Sequence, residues 1–89
     1  MSFFVYLLIT KQKNKLISYV GYTSNLQKRL KLHNTSKGAK FTKGRKWHII
    51  YKKCYKTKSR AMKEEYRLKK NKKERNKLKN KFEIKADIH

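Results

Sequence analysis

Three features of the chain predict an α+β fold, a three-stranded antiparallel sheet flanked by helices in the order β-β-α-β-α-α. Two runs dense in β-branched and aromatic residues, Phe3 to Thr10 and Leu16 to Tyr22, flank the polar stretch "KQKNK", a connection that suits an antiparallel hairpin. A third such run, Trp47 to Tyr55, follows a glycine-containing polar loop. Between and after these runs, stretches that open on capping residues carry apolar side chains at helical spacing.

The first strand, "FFVYLLIT", is an almost unbroken apolar run, and the second, "LISYVGY", ends at Thr23-Ser24. Ser24 with Gln27 forms a capping box, which supplies partners for the first free N–H groups of a helix over Asn25 to His33. Leu26 and Leu30 lie one turn apart and face the sheet; Arg29 and His33 lie one turn apart on an adjoining face. "NTSKGAKFTKGRK" is a loop by its glycines and its polar residues. In the third strand Ile50 and Cys54 are expected to point inward. Ser59 is expected to cap a second helix through "RAMKEEYRLKK", and Asn71 with Glu74 makes a further capping box. That box predicts a break and then a short third helix, with Leu78 and Phe82 as its apolar pair. Residues 1–82 thus read as one domain and 83–89 as a frayed tail.

Eighty-nine residues suffice for one small domain. The net charge is +22, from 27 Lys and Arg against five acids. Like charges repel in a compact state, so this excess calls for a polyanionic partner, and nucleic acid leads. Codon drift in an AT-rich genome also raises lysine and accounts for part of the magnitude. A membrane is a poorer partner, because the chain has no apolar run of spanning length and no basic amphipathic helix with a Trp or Phe face. Six tyrosines argue against disorder. Cys54 is the single cysteine, which excludes a disulfide framework and a cysteine metal site; its apolar neighbours predict a buried thiol. "MSFFVYLLIT" lacks the basic start and the length of a signal sequence, so an intracellular setting is expected, cytoplasmic or, in a eukaryotic or viral context, nuclear.

Five residues stand out as a set. Tyr6 and Tyr19 lie in the two hairpin strands, Arg29 and His33 follow on the first helix, and Glu65 comes from the second; beside them, Gly21 permits a close backbone approach. Singly, each has an ordinary reading: strand tyrosines pack, helix arginines are solvated, a histidine complements a helix C-terminus, and a glutamate pairs with lysine. Together they hold what phosphodiester hydrolysis needs. That is a proton acceptor for water, cationic support for phosphate and a carboxylate for a divalent ion.

Order and spacing favour the second reading. "FVY", "YVG", "NLQKRLKLHN", "KGAKFTKGRKW" and "SRAMKEEYRLKK", taken in sequence, resemble the GIY-YIG nuclease superfamily, and more narrowly its small single-domain members. The resemblance covers Phe3 to Lys70. It implies a metal-dependent endonuclease acting on DNA, with RNA still open, in which Glu65 and the scissile phosphate hold one Mg²⁺ or Mn²⁺. It further implies that Tyr6, or Tyr19 in its place, assists deprotonation of water. Arg29 would lower the tyrosine pKa, His33 would hold or relay a proton, and Lys37, Lys40, Lys43, Arg45 and Lys46 would bind flanking phosphates. Glu65 matches better than Glu64 because it directly precedes the tyrosine of "EYRLKK". Phe4 replaces the first glycine of the motif. Asn71, Asn76 and Asn80 are equal candidates for an asparagine that some family enzymes place after the metal-binding helix. The alternative is a non-catalytic basic module for DNA or RNA, for which a carboxylate near phosphate would be a liability.

Overall fold

The computed structural model describes residues 2–35, 37–38 and 40–87, with side chains as far as residue 82. The elements are β1 (Phe3–Gln12), β2 (Lys15–Thr23), α1 (Leu26–Asn34), β3 (His48–Tyr55), α2 (Lys58–Lys70) and α3 (Lys72–Asp87), with one 3-10 turn at Lys40–Thr42. The sheet has the order β2-β1-β3 and both pairings are antiparallel. This is the α+β arrangement expected from the sequence.

Its central strand explains why "VYLLIT" is continuous rather than alternating: Val5 to Thr10 are all buried, because both faces of β1 are covered. On one face Val5 and Leu7 join Val20, Tyr55, Ala61 and Leu68 under α2. On the other, Tyr6 and Leu8 join Trp47, with Leu26 and Leu30 of α1 packed against them as the sequence predicts. Each fully buried aliphatic side chain here contributes about 1.5–3 kcal/mol.

Local details depart from the sequence reading in four places. The strands run on to Gln12 and Lys15, so the hairpin closes on Lys13 and Asn14 alone. Both have positive φ, 49° and 66°, the two-residue geometry whose twist matches the flanking strands. The cap of α1 is Asn25, not Ser24: its side chain accepts from Lys28 N at 3.1 Å, while the Thr23 hydroxyl accepts from Asn25 N. Likewise Thr57, not Ser59, caps α2 through Arg60 N. Asn, Ser and Thr are near-equal caps, and which one serves depends on where the chain leaves the strand. Finally Cys54 is exposed. Its neighbour Tyr55 is buried, and adjacent strand residues point to opposite faces, so apolar neighbours were a poor guide to that thiol. Ile50, by contrast, packs on the core as expected.

Asn71 does separate α2 from α3, accepting from Glu74 N at 3.0 Å. The third helix is longer than predicted and its backbone is helical to Asp87. The end of the expected tail, residues 88–89, lies outside the described residues.

Candidate active site

Tyr6 faces α1 from the middle of β1, opposite Gly21 on β2. Its ring lies across that glycine: a Cβ at position 21 would sit 2.6 Å from Tyr6 Cζ and closer still to the hydroxyl. The glycine predicted to allow a close approach therefore makes room for the phenol itself. Tyr19, two residues along β2, points to the same face and is half-buried. Its ring meets the His33 ring edge-on at 5.1 Å and stacks on Phe41 at 6.1 Å, with 19° between planes.

His33 is fully buried and joins three segments of the chain. Its Nε2 lies 2.9 Å from Tyr6 Oη and its Nδ1 lies 2.8 Å from Thr42 Oγ1. The loop closes over it at Gly38, where a Cβ would come within 2.5 Å of Nδ1. Thr42 is itself buried, and its carbonyl accepts from Trp47 Nε1 at 3.0 Å. Asn34 then holds the Trp47 backbone from both sides, accepting from its N–H and donating to its carbonyl. Sequence reading missed Gly38 and Thr42; the only trace of them is the small and hydroxyl residues inside "KGAKFTKG".

Burial dominates the electrostatics. It pushes the Tyr6 hydroxyl up to about 12, against the pull of the neighbouring Arg29 guanidinium, while Tyr19 and Glu65 add to the rise. Burial also lowers His33 to about 4, with Arg29 adding to the effect, so the ring is neutral at neutral pH. A sealed, neutral imidazole is not a helix C-terminal charge.

Of the two adjacent acids, Glu65 is the one whose charge reaches the Tyr6 hydroxyl, where it adds to the rise. Its carboxylate pairs with Lys69 at 2.9 Å. Glu64 instead accepts from Arg67, which also bonds Glu74. Among the described residues no cluster of three or more His, Cys, Asp or Glu side chains stands ready for a metal. Glu65 would thus bring a single carboxylate to a divalent ion. That suits Mg²⁺, which keeps several waters and takes one or two carboxylates plus substrate phosphate oxygens.

The five candidate phosphate-binding residues differ. Lys37, Lys40, Lys43 and Lys46 are exposed. Arg45 is half-buried, with its guanidinium 5.0 Å from the Phe41 ring centroid and Nη1 buried without a hydrogen-bond partner among the described residues. It holds the loop's aromatic as much as it faces solvent. Of the asparagines left open, Asn71 is engaged as the cap of α3, while Asn76 and Asn80 are exposed.

Tyr19, Arg29, His33 and Glu65 thus gather around Tyr6. Residues 2–80 match the sequence family described as the GIY-YIG catalytic domain. The chain is 46% identical over 67 residues to a UPF0213 protein of Oceanobacillus iheyensis, covering 74% of each. It is 42% identical over 65 residues to one of Staphylococcus haemolyticus, covering 72% of this chain and 78% of that one. With one from Bacillus pumilus it shares 52% over 52 residues, 57% of this chain and 53% of the other. The solution structure of a UPF0213 protein from Bacillus halodurans is 33% identical, covering 84% of this chain and 81% of its own, with a TM-score of 0.45. No helix among the described residues is long and apolar enough to cross a membrane.

Proposed function

The chain belongs to the GIY-YIG catalytic-domain family, a nuclease family, and from that premise we propose that it is a metal-dependent endonuclease that nicks DNA. The observation that carries this is electrostatic: Arg29, Tyr19 and Glu65 all act on the Tyr6 hydroxyl, so cation, phenols and carboxylate share one site. The net charge of +22 draws a polyanion towards it.

Glu65 would hold the divalent ion. Bound there, the ion would polarise a phosphoryl oxygen and acidify a water. The remaining work belongs to the side chains. Arg29 supports the phosphate and the charge that develops on it. Tyr6, protonated at neutral pH, donates its O–H to His33 Nε2 in the tautomer whose Nδ1–H donates to Thr42. That assignment leaves a Tyr6 oxygen lone pair for water's proton, and as that proton arrives the phenol's own passes to His33 Nε2, so the phenol stays neutral. Tyr19, nearer the surface, orients the same water or the phosphate. His33 holds Tyr6 in place and takes up the phenol's proton at Nε2, which is unprotonated above about pH 4 in this tautomer.

The Glu65–Lys69 pair favours a second reading, a basic binding module whose carboxylate is simply neutralised. The pair is weak enough to leave Glu65 available to a metal. A helical i,i+4 pair with a half-exposed lysine is worth about 0.3–0.5 kcal/mol, so a divalent ion displaces it readily. The test is nicking of supercoiled plasmid with Mg²⁺ or Mn²⁺ by wild type and Glu65→Gln. We expect the variant to bind DNA and to cut orders of magnitude more slowly. Equal cutting by both would falsify the metal role of Glu65; salt-sensitive binding with no cutting under any metal would establish the module.

A further inference from the structure

A cleft of 290 Å³ is lined by Ser18, Tyr19, Val20, Phe41, Lys69 and Arg75. Three consecutive residues of β2 line it, and successive strand residues point to opposite faces, so it runs along the strand's free edge. One wall is aromatic. Phe41 is half exposed, stacked on Tyr19 and steadied by Arg45. Such exposure gives up part of the burial a Phe could have, and here it falls between Lys40 and Lys43 in the most basic loop of the chain. The other wall is cationic. Lys69 makes the weak pair with Glu65, and Arg75 donates to the Leu68 and Lys69 carbonyls at the end of α2.

We propose that this cleft binds one unpaired nucleotide next to the scissile phosphate, with its base against Phe41 and Tyr19 and its phosphate towards Lys69 and Arg75. An aromatic platform beside cations is the arrangement by which single strands are held, since every base offers a π-face. The size agrees, lying at the lower limit of small-ligand sites, about 300 Å³, which admits one nucleotide unit and no duplex. Lys69 links the cleft to the reaction centre through Glu65: if Glu65 held a divalent ion, the ammonium would be free for the incoming phosphate. A paired base stays inside its own stack and cannot reach the platform. The enzyme therefore selects strands with an unpaired base at the cutting point. Base binding in the cleft rests on nucleic acid being the partner; its place beside the cutting point rests on the proposed cleavage.

Binding in EDTA tests it, because cutting is then not required. The probes are a labelled oligothymidylate, a strand of the same length with every base removed, and a duplex of equal phosphate count. In wild type, the abasic strand should bind about 5- to 150-fold more weakly than the oligothymidylate. Phe41→Leu should shrink that difference, Phe41→Trp should keep it, and the salt slope should stay unchanged in both. The duplex should bind alike to all three proteins. If the abasic strand binds wild type as tightly as the oligothymidylate, or if Phe41→Leu shows the same difference, the subsite is refuted. Should Phe41→Leu fail to fold, the wild-type comparison and the Trp variant still decide. A protein that never cuts DNA can pass this test, and a nuclease that holds only duplex would fail it.

Discussion

Acidification should destabilise this protein through one buried side chain. His33 is 0% exposed and burial lowers it from 6.5 to about 4. Between those values the unfolded chain binds a proton that the folded chain refuses, so stability falls as pH falls across that window. Above pH 6.5 the contribution is intact, and below about 4 the loss levels off. At about 1.36 kcal/mol per pKa unit, the full loss is about 3 kcal/mol. Set against a total of about 5–15 kcal/mol, that is a large share. For a domain of this size it corresponds to a fall in Tm of about 12–24 °C. The assay is denaturation followed by circular dichroism from pH 7 to pH 4, for wild type and His33→Gln. Gln can still bond Tyr6 and Thr42 but carries no titrating ring. The carboxylates, Glu64 with its lowered pKa among them, titrate in both proteins, so the difference between the curves isolates His33. We expect the wild type to lose stability more steeply. Parallel curves would refute the reasoning, as would a His33 ring that NMR shows titrating near its ordinary value.

Two further substitutions separate chemistry from packing. Tyr6→Phe and Tyr19→Phe should each reduce single-turnover cleavage at least about a hundredfold, the usual scale for loss of a general base. Tyr6→Phe alone should also cost about 1–3 kcal/mol of stability, because it leaves the buried His33 Nε2 without its partner; Tyr19→Phe should melt like wild type. Wild-type rates in both would reduce the tyrosines to core residues. In the loop, replacing the exposed Lys40, Lys43 and Lys46 by Gln should weaken duplex binding at every sequence. It should lower the log–log salt slope by up to about 0.9 per lost phosphate contact. A loss limited to one target sequence, with the slope unchanged, would mean that the loop reads bases.

Order along the chain settled much of this protein before any coordinates. The three β-rich runs, the capping signals and the unbroken apolar first strand were enough for the sheet and helices, since those signals act between near neighbours. The candidate residues were also legible, because Tyr6, Tyr19, Arg29, His33 and Glu65 stand in a recognisable order. Near-neighbour signals were weakest where several residues could do one job. Asn25 rather than Ser24 caps α1, Thr57 rather than Ser59 caps α2, and the turn shrank to Lys13-Asn14. What only the tertiary structure decided is which groups meet and what surrounds them. Thr42 and Gly38 close over a histidine nine and five residues earlier in the chain, and Gly21 yields its space to a phenol on the neighbouring strand. Cys54 lies in the open although its neighbour is buried. The acidity of Tyr6 moved opposite to what its cationic neighbour alone would give, because desolvation outweighed Arg29. Burial is summed over atoms from every element packed around a group, and no local stretch of sequence contains that sum.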